Sequence, residues 1–202
     1  MQFALASAPH APPRNGATDR EWRALNVGLL EAVAHLRDSR SAAVLHAIFA
    51  AEKDVFVLET AAEAMGALCD GTSVDLLRAA LAAGATRRAA ATQGLGECRS
   101  VEAAKVLANE LAKSTSGTDA GQLARALGTL GSSWAWQALG TSKAVEGLSA
   151  RKIAAEALVR SYARYPGAAV REDHRFGISM VEHPDTPAIV ATVAIDADAA
   201  TK

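Results

Sequence analysis

A large apolar residue returns every 30 to 32 positions, each time inside a segment of alanine and glycine that reads as helix. The markers are Val33 in "LLEAVAHL", Met65 in "AAEAMGALC", Leu95 in "ATQGLGEC", Leu127 in "LARALGTLG" and Leu158 in "IAAEALVRS". Their separations are 32, 30, 32 and 31 residues. Most of these segments are followed by a short turn and a second apolar helix. The second helices are built around Val44, Leu45, Ile48 and Phe49; then Leu76, Leu77 and Leu81; then Val106, Leu107 and Leu111. A helical hairpin of this length leaves one apolar face that only a neighbouring hairpin can cover, so repeated units stack. The reading is an all-α chain, a right-handed α-solenoid of about five hairpins.

Glycine inside such helices needs a reason, because it costs about 1 kcal/mol relative to alanine. Gly66, Gly96 and Gly128 each directly follow a marker, and Ala34 and Val159 hold the place in the other units. A small residue there lets one helix approach its neighbour closely, which offsets the loss of local propensity.

The segment "TRRAAATQGLGECRSVEAAKVLANEL" resembles a HEAT-like repeat of the kind found in phycobilin lyase subunits and in bacterial helper proteins. "ARKIAAEALVRSY" and "VLETAAEAMGALCDGTSVDLLRAAL" resemble it too, so the likeness covers residues 19–182. It implies the fold and is unspecific for activity. In that pattern an arginine precedes the marker by seven residues. Arg88 and Arg151 match it, whereas Asn26, Leu58 and Ala120 stand there in the other units.

Residues 1–18, with Pro9, Pro12, Pro13 and Gly16, read as a flexible lead-in, although "LASA" is similar to the end of a cleavage site. Residues 183–202 lose helical periodicity and read as a tail. No apolar run reaches the roughly 20 residues that span a bilayer. Two cysteines imply no disulfide framework, and the expected location is cytoplasmic. Cys69 and Cys98 end the first helices of adjacent units, where stacked helices ~8–10 Å apart exceed the ~7 Å reach of a disulfide. Two reduced thiols are expected.

The net charge is −1, which gives no global field for nucleic acid or anionic lipid. Residues 84–182 nevertheless hold 13 basic against 9 acidic side chains. The five histidines lack the i, i+3 or i, i+4 pairing that places two metal ligands on one helix face. Glu172, Asp173 and His174 are consecutive and point ~100° apart on a helix. No phosphate-binding loop and no nucleophile elbow is present. The expectation is therefore a non-enzymatic chain with no catalytic residue, metal or cofactor.

Trp134 and Trp136, two residues apart, diverge by ~200° on a helix, so one fills the core while the other reaches the surface. Tryptophan beside arginine is the composition of an interface hot spot. The sequence thus points to a scaffold or adaptor that binds a partner protein or peptide on its concave face of second helices. The expected contacts are Trp134, Trp136, Arg99, Lys105 and Arg125. Two alternatives stand beside this reading. One is nucleic-acid binding on a basic concave face, as in HEAT-like DNA glycosylases. The other is a lyase-type accessory role toward a client protein.

Overall fold

A computed structural model describes residues 18–132, 136, 144–165 and 167–181. The tail, Trp134, the segment around Gly140, and the lead-in apart from Thr18 lie outside the described residues. Within them the chain is all-α, and no strand occurs among the described residues. The helices are α1 (Asp19–Leu36), α2 (Ala42–Ala51), α3 (Val55–Leu68), α4 (Gly71–Ala80), α5 (Ala85–Glu97), α6 (Val101–Lys113), α7 (Gly117–Gly131), α8 (Ala144–Tyr162) and α9 (Ala168–Val181). A 3₁₀ turn, Ser39–Ser41, leads into α2. None of the described helices is long and apolar enough to cross a membrane.

Short polar residues start the helices. Thr18 and Glu21 form a reciprocal capping box on α1. Asp54, Asp70, Ser100 and Ser116 accept backbone N–H groups at the starts of α3, α4, α6 and α7. Each such cap is worth about 1 kcal/mol against alanine.

The chain divides into two compact units, residues 1–94 and 95–202, with α5 running across the division. In the first unit α3 is central and packs against α1, α2 and α4. Its core holds Leu30, Val33, Leu45, Phe49, Leu58, Met65 and Leu77. In the second unit α7 packs most extensively on α9, and α8 packs on α6. The core there contains Leu107, Leu111, Leu123, Leu127, Leu130 and Leu158. All five marker residues are buried, so the 30 to 32-residue spacing does track the core.

The expected register changes at the fifth marker. α8, read as the first helix of a fifth hairpin, lies against α6, and α9 takes the place beside α7. Small residues set that α7–α9 contact. A Cβ on Gly128 would stand 2.5 Å from the Gly177 Cα, and one on Gly177 would stand 2.5 Å from the Ala124 carbonyl oxygen. Neither position tolerates a side chain without moving a helix. Gly96 likewise faces the Ala126 Cα at 3.1 Å from its would-be Cβ. Close approach therefore accounts for two of the three glycines that follow a marker; Gly66 is buried.

Helix C-termini take up much of the basic excess. Arg87 donates to the Phe49 and Glu52 carbonyls at the end of α2, and Arg88 donates to the Leu81 carbonyl after α4. Arg151 donates to Val181 O at the end of α9 at 3.2 Å, and Arg164 donates to Ala112 O and Ser114 O at the end of α6 at 2.6 and 3.3 Å. Carbonyls of a last turn lack partners within their own helix and carry the negative end of its dipole, so a guanidinium satisfies both needs. Arg88 and Arg151 are the two arginines that match the seven-residue pattern.

The cysteine expectation fails. Cys69 and Cys98 are both disulfide-bonded, and neither is a free thiol. The spacing between helix axes limits residues within helices. Cys69 sits past the end of α3 in the left-handed conformation, φ 52°, and Cys98 follows the last residue of α5, so that limit does not govern them.

Candidate functional site: the groove between α6 and α8

The second unit carries a groove of about 340 Å³ between α6 and α8. Ala108 and Ala112 of α6 and Ile153 and Ala157 of α8 make its apolar lining. Alanines at i and i+4 stand one above the other on a helix face, and their short side chains leave the space open. The rim is polar: Asn109, Glu156, Arg160, Ser161 and Arg164. Glu156, Arg160 and Arg164 step along α8 and the turn after it at i, i+4 and i+8. Arg160 pairs with Glu156 at 2.8 Å, and Arg164 is held by the α6 carbonyls. Asn109 is exposed, and its amide offers both donors and an acceptor.

Beneath the groove, Ser161 meets His174 of α9. The imidazole is fully buried at 0% exposure. Its Nδ1 lies 2.8 Å from the Val170 carbonyl, and its Nε2 lies 2.9 Å from Ser161 Oγ. A carbonyl only accepts, so Nδ1 carries the hydrogen and Nε2 of the neutral ring accepts from the serine hydroxyl. Burial pushes the His174 pKa down, opposed by the Val170 carbonyl and the nearby Asp173 charge. Tyr162 and Tyr165 enclose the ring with centroids at 6.5 and 5.9 Å, and Tyr165 donates to Ser114 O at 2.6 Å.

A serine donating to an oriented imidazole has the hydrogen-bond order of a nucleophile and its base. Its setting opposes that use. Ser161 stands in the last turn of α8, where the carbonyl end of the helix disfavours a developing oxyanion. The pair instead ties α8 to α9. Among the described residues no group of three histidine, cysteine or acidic side chains comes together as a metal-holding cluster.

The residues expected from the sequence do not converge. Lys105 is exposed on α6, one turn before Asn109 on the same stripe, and borders the groove. Arg125 lies on the α7–α9 surface, where its Nε meets Asp173 at 2.5 Å and its guanidinium covers Phe176 at 5.1 Å. Arg99 is buried at 8% exposure and donates to the Gly96 carbonyl at 2.8 Å, so it caps the end of α5, the helix before it. Trp136 is buried at 6% exposure. Its Nε1 donates to Leu130 O at 2.7 Å and its ring lies against Gly147, which leaves its indole no partner-facing edge. Trp134 falls outside the described residues.

The groove residues Asn109, Arg160 and Arg164 were missed. The signal was present in the four-residue steps of "EALVRSYAR", which place Glu156, Arg160 and Arg164 on one face. No family model matches the chain, and no curated protein matches it.

Proposed function

We propose that this chain is a HEAT-like adaptor, a short α-solenoid that binds an extended segment of a partner protein along the α6–α8 groove. The reading is supported chiefly by the lining of that groove: four small or aliphatic side chains for its floor, with an exposed side-chain amide on its rim. Such a floor accepts small apolar side chains, and the Asn109 amide matches a peptide group in both donor and acceptor. Lys105 and the Glu156–Arg160 pair would border the same segment. Arg99 and Trp136 do not belong to this surface.

Nucleic-acid binding draws less from the basic excess of residues 84–182 than the count suggests. Arg87, Arg88, Arg99, Arg125, Arg151, Arg160, Arg164 and Arg171 all have carbonyl or carboxylate acceptors within the protein. Disulfide-bonded cysteines favour an oxidising compartment over the cytoplasm expected from cysteine number.

Selection of a displayed random-peptide library on the immobilised protein tests the binding reading. Peptides carrying small apolar residues should be enriched on the wild type and lost on Ala157→Trp, which fills the groove, and weakened ~10-fold by Asn109→Ala. Both variants should keep the wild-type circular dichroism. Absence of enrichment, or enrichment that survives a folded Ala157→Trp variant, would contradict the reading.

A further inference from the structure

Arg164 and Tyr165 close one end of the α6–α8 groove. Both side chains reach from just past the end of α8 to carbonyls at the end of α6, at 2.6 and 3.3 Å for Arg164 and 2.6 Å for Tyr165. The opposite end of the floor, at Ile153, lies beside the point where the chain leaves α9, because Arg151 holds the Val181 carbonyl at 3.2 Å. From there the chain continues with residues 182–202, in which "AIVATVAI" (188–195) is followed by Asp196 and Asp198.

We propose that residues 188–198 of this same chain fill the α6–α8 groove when no partner is bound, so that a partner must displace them. The inference rests on the adaptor reading for the site and adds its resting occupant. Composition, reach and charge order choose this segment. Its alanine and β-branched side chains are of the class that a floor of Ala108, Ala112, Ile153 and Ala157 accepts. β-Branched residues after a proline, here Pro187, suit an extended backbone. The floor from Ile153 to Ser161 is ~12 Å long, which about four extended residues cover. Residues 182–187 span up to ~20 Å, enough to pass around α8, itself ~10–12 Å across.

The point of entry fixes the direction. A segment arriving at the Ile153 end lays its apolar run on the floor and brings Asp196 and Asp198 to the closed end, where Arg160 and Arg164 stand. Arg160 shares its charge with Glu156, whereas Arg164 donates to neutral carbonyls and so presents its charge over the end of α6. A segment tethered through a short linker is at roughly millimolar effective concentration, so an intrinsic dissociation constant of ~0.1 mM leaves the groove about 90% filled. A competing peptide then binds ~10-fold more weakly than to an empty groove.

A nitroxide on Ala200→Cys of the full chain tests the proposal, since the native cysteines are disulfide-bonded and only the added thiol takes the label. Amides of Asn109, Ala112 and Arg160 should broaden in its NMR spectrum. The broadening should vanish with Val190→Lys and Val193→Lys together, and also with Ala157→Trp, while circular dichroism is unchanged. Without the label, the double-lysine chain should bind a library-selected peptide ~10-fold tighter than wild type. Broadening that is absent or confined to other helices overturns the proposal. So does a peptide affinity that the two lysines leave unchanged. Broadening of an isotope-labelled chain by a separate spin-labelled chain would assign the segment to a second copy and overturn it as well. Failure of the adaptor reading looks different: the groove amides broaden as expected, yet neither chain binds any selected peptide.

Discussion

Each unit places a serine against a histidine from another helix, and the proton runs in opposite directions in the two pairs. In the first unit Ser73 donates to Asp70 Oδ2 at 2.6 Å, which uses its one hydrogen. His46 Nε2, 2.8 Å from the same oxygen, must therefore donate. In the second unit the Val170 carbonyl claims His174 Nδ1–H, so Ser161 donates to the imidazole. The first pair keeps a half-buried ring that donates to a serine held by a carboxylate. The second holds a neutral ring inside the core. What decides between them is the third group: a carboxylate in one unit, a backbone carbonyl in the other. The same two residue types therefore stabilise the two units under different conditions.

Removing the rings should show the contrast at its largest. His174→Ala leaves a cavity and an unpartnered Ser161 and should destabilise by ~3 kcal/mol, against ~1 kcal/mol for the half-buried His46→Ala. Urea titrations of both variants, followed by circular dichroism, check the difference. Equal losses would mean that the two pairs do the same work. Glycines give the next contrast. Gly177→Ala drives a methyl into the Ala124 carbonyl and should destabilise by ~2 kcal/mol, whereas Gly28→Ala, which meets nothing within 4 Å, should stabilise by ~0.5–1 kcal/mol. Thermal melts of these variants report both signs.

The smallest effect is the pH response, and its sign follows from the two shifts. His174 has a folded pKa below its ordinary 6.5, so the unfolded chain takes up the proton first. Its contribution is complete above about 6.5 and is lost as pH falls from there toward the lower folded value. Asp70 differs. Burial by itself raises its pKa, but hydrogen bonds from the Ser73 hydroxyl and N–H and the charge of His46 bring it below 3.8. Its contribution is complete above that value and is lost only as pH falls below it. Hydrogen exchange of α8 and α9 amides should therefore speed up as pH falls below ~6.5, once corrected for intrinsic rates, while α2 and α4 stay protected. Loss of protection in both units at the same pH would break the comparison.

The sequence carried the periodic part of this structure and little of the rest. Val33, Met65, Leu95, Leu127 and Leu158 are buried because a 3.6-residue pattern of apolar and small side chains is a local property that survives without knowledge of neighbours. Gly96 and Gly128 also announced close packing. What lay beyond local pattern was which helix meets which. α9 docks on α7 because Gly177 and Gly128 fit together, yet Gly177 follows no marker and carried no repeat signal. The cysteines failed for a related reason, since their positions after the helix ends escape an argument about axes. Arg99 and Trp136 looked like binding residues by type, but carbonyls at helix ends claimed both. The α6–α8 groove depends on alanines, whose small size becomes a feature only when two helices stand side by side.

Backbone amide NMR spectra recorded during titration with a library-selected peptide test the adaptor account most directly. The account predicts saturable shifts clustered at Asn109, Ala112, Ile153, Ala157 and Arg160, with the α7–α9 crossing at Gly128 and Gly177 undisturbed. Shifts centred on α1 and α3, or spread evenly over both units, would contradict it.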